Sequence, residues 1–167
     1  MDLHRIDDLR RRVQKDPASI AFAQLAEELR RANELEEAVA TCRTGLARHP
    51  SYVSARVTLG RALLALGRID EAEAELKTAV TGAPQNLSAL RSLGEIYRRR
   101  GRLEDALAQY EAALAIARND PDLQEAVAEL SQKVRPATPA RVREQRTIEA
   151  LEQFLDAINV SRTDRRP

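Results

Sequence analysis

A catalytic or metal site in this chain would have to draw on two histidines, one cysteine and 26 acidic side chains. His4 and His49 fall in different expected helices, with no Cys or carboxylate at ligand spacing beside either. A metal centre needs three or four converging donors, so both are expected to be surface side chains and no metal is expected. Cys42 shares a helical stripe with Ala38, Gly45 and Leu46. That makes it a small core residue rather than a nucleophile, and a lone cysteine cannot build an internal disulfide framework. The six glycines are dispersed, and none belongs to a phosphate-cradling loop. Acid pairs such as Glu36–Glu37 stand at expected helix starts, where the helix dipole accounts for them. No acid, base and nucleophile combine, so neither an enzyme nor a cofactor is expected.

Charge narrows the partners. The formal net charge is +1, and only three of the 27 basic residues are lysine. Such arginine enrichment fits a GC-rich bacterial genome; it also fits retention of guanidinium groups for bidentate carboxylate contacts. The runs Arg10–Arg12 and Arg98–Arg100 lack interleaved aromatics, and aromatics are only 3% of the chain, so nucleic acid is not expected as a partner. No apolar run approaches the roughly 18 residues of a membrane span. The first eight residues are charged and lack an apolar signal core. A soluble cytoplasmic protein is expected.

The elements that would position these residues follow from a period. Ala38, Ala72 and Ala106 are 34 residues apart, as are Leu25, Leu59 and Leu93, and the turn residues Asn33, Gly67 and Gly101. Gly and Asn best adopt the left-handed conformation that ends a helix. Acidic residues follow at Glu36–Glu37, Asp70–Glu71 and Glu104–Asp105, and Pro50 and Pro84 close the first two units. Each unit reads as two helices joined by a tight turn. Leu59, Leu63 and Leu66 share one face of a first helix; Ala72, Leu76, Ala79 and Val80 share one face of a second. One hairpin cannot bury both its faces, so units must stack.

The pattern resembles the tetratricopeptide repeat, in a bacterial type, carried by Phe22, Leu25, Leu29, Ala38 and Pro50, then Leu59-Gly60, Leu63, Ala72 and Pro84, then Leu93-Gly94, Tyr97, Ala106 and Tyr110. Repeats are placed at 19–52, 53–86 and 87–120, with a capping half-repeat at 1–16 and a second capping helix at 121–135. Arg56 stands where the family prefers a large apolar residue, so its stem is expected to pack while its head reaches water. Arg118 stands where a Pro is expected, and Pro121 comes three residues later, so the second helix of the third unit is expected to run almost a turn longer. The resemblance implies an all-α, right-handed α-solenoid whose concave face, lined by the first helices, holds a peptide or helix. The groove-facing positions would be Ala23, Gln24, Glu27, Arg30 and Arg31; Val57, Thr58, Arg61 and Leu64; and Arg91, Ser92, Glu95, Arg98 and Arg99. Six arginines face two glutamates there, an excess of four positive charges that favours an acidic peptide, one carrying Asp, Glu or a phosphate; a solvated face with Glu–Arg pairs three or four apart is the plainer alternative. Some relatives clamp a chaperone's C-terminal carboxylate with Lys and Asn. Ala23, Glu27 and Thr58 hold those stations here, so that mode is not expected.

After a Pro-rich linker at 136–140, residues 141–160 form an expected amphipathic helix before a frayed tail at 161–167. Its stripe is Ile148, Leu151, Phe154, Leu155 and Ile158. Three coverings remain open: the chain's own array, the same helix of a second chain in a homodimer, or another protein. Glu144, Glu149, Glu152 and Asp156 would suit it as an internal ligand of the groove. The reading is a non-catalytic adaptor that binds an acidic peptide, with a self-associating scaffold as the alternative.

Overall fold

The computed structural model describes residues 3–134 and Leu151. The chain divides into two compact units, Met1–Leu130 and Ser131–Pro167. Of the second, only residues 131–134 and Leu151 are described. The described residues form eight α-helices and no strand: α1 (Leu3–Lys15), α2 (Ala21–Arg31), α3 (Leu35–Arg48), α4 (Val53–Ala65), α5 (Ile69–Gly82), α6 (Leu87–Arg99), α7 (Leu103–Ile116) and α8 (Pro121–Val134). None is long and apolar enough to cross a membrane.

Three identical turns make the hairpins. Asn33, Gly67 and Gly101 adopt φ of 64°, 77° and 71°. The next amide in each case reaches back to the carbonyl of Leu29, Leu63 or Tyr97 at 2.8–2.9 Å, and the turn residue's own amide bonds the carbonyl of Arg30, Leu64 or Arg98 at 3.1 Å. This paired closure satisfies carbonyls that a helix end would otherwise leave orphaned. Hairpins α2–α3, α4–α5 and α6–α7 pack internally; α3 then meets α4, α5 meets α6, and the first helices α2, α4 and α6 touch in series. The result is an α-solenoid.

Side-chain sizes are matched across each hairpin. Ala38, Ala72 and Ala106 are fully buried. A methyl at Gly60 would lie 2.6 Å from Leu76 Cγ, and one at Gly94 would lie 2.7 Å from the Tyr110 ring. The first unit uses Ala26 and Cys42 at these two stations, a larger first partner with a smaller second. Its bulk sits elsewhere: Phe22 lies over Gly45, where a methyl would meet the ring at 2.0 Å. Burial pushes the Cys42 thiol up to about 12, so it stays protonated at neutral pH.

Three expectations are corrected. Helix α7 does not run on: it has 14 residues, as do α3 and α5. Asp120 caps the next helix by accepting from the Leu123 amide at 3.1 Å, and Pro121 takes the first helical position, so this pair starts α8 rather than closing α7 late. His49 is half-buried rather than superficial. Its ring stacks on Phe22 (centroids 5.9 Å apart), and Nε2, 2.6 Å from the Ala18 carbonyl, donates to it. Arg56 does more than reach water: it donates to Glu75 at 2.8 Å and to the Pro50 carbonyl at 2.6 Å, tying α4 to α5.

One buried charge is invisible in the repeat pattern. Val39, Glu73 and Leu107 share a repeat position, and all three are buried. Glu73 meets Lys77 at 2.5 Å and also bonds Arg100 and Arg102, while Arg102 covers the Tyr97 ring at 4.4 Å. The second and third repeats are thus joined through a neutralised carboxylate.

Candidate functional site

A cleft of about 410 Å³ opens on the side of the first helices. Ala23, Val57 and Thr58 form its floor, each less than a tenth exposed. Gln24, Glu27 and Arg31 from α2 and Arg61 from α4 line its walls. Sequence counting missed Arg5 of α1, Glu28, Tyr52, Ser54, Asn86 and Ser88, which also line it. Ser54 and Ser88 are one period apart, and that recurrence is the signal by which they could have been found.

Glu27 organises the cleft. It accepts two hydrogen bonds from Arg30 (3.0 and 2.9 Å), one from Arg31 Nε (3.2 Å) and one from the Thr58 hydroxyl (3.2 Å). Arg30 chiefly, then Arg61 and Thr58, hold the Glu27 carboxyl below the usual carboxylate range against the opposing effect of burial. Arg61 approaches Glu27 only to 3.9 Å, and among the described residues its guanidinium donates no hydrogen bond. Burial, then the adjacent Arg30 and Arg31, lower its guanidinium below the ordinary arginine value, with Glu27 opposing. It remains charged at neutral pH, since an arginine is effectively always protonated.

The remaining expected positions do not all join this cleft. Arg91, Glu95 and Arg98 line a second hollow of about 280 Å³ with Tyr110, Asp122, Leu123, Ala126 and Glu129. Arg91 pairs with Asp120 at 2.7 Å and Asp122 at 3.5 Å. Glu95 holds Arg98 at 2.8 Å and Arg99 at 2.6 Å. Arg30, Leu64, Ser92 and Arg99 line neither hollow. The walls add one cation, Arg5, and three anions, Glu28, Asp122 and Glu129, to the expected set, so its excess of four positive charges falls to two. The cleft at α2–α4 carries a net positive charge, whereas the hollow at α6–α8 carries a net negative one. Of the C-terminal stripe, Ile148, Phe154, Leu155 and Ile158 lie outside the described residues, as do Glu144, Glu149, Glu152 and Asp156. Leu151 is 56% exposed.

Three glutamates share one consequence. Glu73 and Glu95, like Glu27, sit below the usual carboxylate range: burial pushes both up but is outweighed, by Lys77, Arg100 and Arg102 for Glu73 and by Arg98 and Arg99 for Glu95. A depressed folded-state value adds stability that is complete above the unfolded carboxylate value, about 4.3, and is lost as pH falls through the folded values. Thermal unfolding followed by circular dichroism should therefore give a flat midpoint from neutral pH to about 5 and a falling one below about 4.3. A midpoint that rises on acidification would contradict this pairing.

Two tetratricopeptide-repeat models match the sequence, over residues 29–81 and 57–123. Together they span residues 29–123, more than half of the chain. The chain belongs to the tetratricopeptide-repeat family. Tetratricopeptide-repeat structures also match its fold. A thermophilic member from Thermus thermophilus aligns with 93% of this chain and 84% of its own, at 24% identity and a TM-score of 0.64. YrrB, described as having an unusual peptide-binding site, aligns with 76% of this chain and 66% of its own, at 19% identity and a TM-score of 0.71. The first repeat domain of Spaghetti (RPAP3), bound to the HSP90 peptide SRMEEVD, aligns with 71% of this chain and 94% of its own, at 18% identity and a TM-score of 0.66. At these identities the likeness is one of fold. No curated protein matches the sequence.

Proposed function

We propose that this tetratricopeptide-repeat protein is a non-catalytic adaptor that holds an extended, partly acidic segment of another protein against α2, α4 and α6. The observation that carries this reading is the α2–α4 cleft, with a buried floor, neutral donors on its walls and a half-buried arginine that no protein group hydrogen-bonds among the described residues. Such a surface can grip a peptide backbone and one anionic group together. Two structural relatives support the reading by their own peptide sites. The chaperone-tail mode is still not proposed, because Ala23, Glu27 and Thr58 offer no clamp of Lys and Asn.

Selection from a random peptide library on the full chain, followed by amide chemical-shift mapping, tests the reading. Bound peptides are expected to move the amides of Gln24, Thr58, Arg61 and Ser88. Shifts confined to Thr44, Thr78 and Glu111, on the second helices, would overturn it.

A further inference from the structure

We infer that Arg61 is the anchor for one side-chain carboxylate, Asp or Glu, at a fixed position in the bound segment. This rests on the adaptor reading above and adds to it the group that sets the register of the peptide.

The other arginines around the cleft are engaged by carboxylates. Arg31 bonds Glu27 and lies within 3.7 Å of Glu28, Arg5 pairs with Glu28 at 3.3 Å, and Arg30 grips Glu27 through two nitrogens. Glu27 already accepts four hydrogen bonds, so little of its capacity is left for Arg61. The Arg61 side chain is only 36% exposed, yet among the described residues its donors face no protein acceptor within bonding distance. A guanidinium held this way, beside two further arginines, gains from a carboxylate that meets two of its N–H groups side by side.

The surroundings favour one negative charge over two. Glu27 and Glu28 line the same cleft, so a phosphate dianion would meet two carboxylates where a single carboxylate meets one spare cation. Gln24, Ser54 and Ser88 line the same cleft as Arg61, and none of their side chains donates to or accepts from another side chain among the described residues. They are suited to the backbone amides on either side of the acidic residue. Specificity would then reside in one charge at one position, with the flanking sequence free to vary.

A double-mutant cycle on a library-selected peptide tests the anchor. The peptides selected on the full chain should share one acidic position. Changing that residue to Asn or Gln, or changing Arg61→Gln, should each weaken binding about tenfold or more, and the two changes together should weaken it no further. Millimolar inorganic phosphate should not displace the peptide any better than acetate does. Independent, multiplicative losses would overturn the anchor, as would selected peptides that occupy the cleft without a shared acid; the adaptor reading would survive either result. Displacement by phosphate in preference to acetate would make this a phosphate subsite and would equally overturn it. Peptides whose footprint lies away from the cleft would remove both the adaptor reading and the anchor.

Discussion

Leu76→Ala should destabilise the repeat array by about 2–5 kcal/mol, because Leu76 is fully buried and its truncation leaves a cavity. The residue facing it is Gly60, which offers no side chain to close the void. Gly60→Ala alone should also be harmful. Its methyl would sit 2.6 Å from Leu76 Cγ, and overpacking of about 1–3 kcal/mol exceeds the gain of about 1 kcal/mol from alanine's better helix propensity. In the double variant the same methyl enters the space that Leu76 vacates. Gly60→Ala should then reverse sign and recover about 1–2 kcal/mol of the loss. Urea unfolding of the four proteins measures this directly. If the two losses simply add, the sizes of these residues are not matched as described. The first unit already carries such an arrangement, with Ala26 and Cys42 at the two stations.

Glu27→Gln should move stability and binding in opposite directions. Four hydrogen bonds converge on the Glu27 carboxylate from Arg30, Arg31 and Thr58. An amide accepts less strongly and turns one donor toward those donors, so stability should fall by about 1–2 kcal/mol. The same change removes one negative charge from the cleft and leaves Arg61 with no counter-charge at 3.9 Å. Affinity for an acidic library peptide should rise about fivefold at low salt and return toward the wild-type value as salt screens the cleft. Calorimetry at two ionic strengths reads both effects. A fall in affinity that tracks the fall in stability would show that Glu27 shapes the cleft instead of competing with the ligand for Arg61.

The period was legible because stacking repeats need the same residue sizes and turn conformations at the same stations. Asn33, Gly67 and Gly101 could be recognised from residue type, since a positive φ strongly restricts what can stand there. The end of α7 is ambiguous in sequence because Pro121 resembles a late stop signal when read forward from Arg118. Read with Asp120 it is a start signal, and the Asp120 side chain on the Leu123 amide decides between the two. The cleft was legible only in part. Counting positions along α2 and α4 found Gln24, Glu27, Thr58 and Arg61, but Arg5 enters from a different helix, and Tyr52 and Asn86 come from the turns before α4 and α6. The charge balance of a groove also depends on which side chains already satisfy one another, as Arg91 does with Asp120 and Glu95 does with Arg98. The Glu95–Arg98 pair follows from its spacing of three along one helix, whereas the Arg91–Asp120 pair joins distant positions that spacing does not reveal.

The most direct test of the recognition surface is a crystal structure of the full chain with a library-selected peptide. The peptide is expected to lie across α2 and α4 toward the start of α6, over Thr58, with an acidic side chain within hydrogen-bonding reach of Arg61. A peptide bound against α3, α5 or α7, with the α2–α4 cleft left to solvent, would contradict the account.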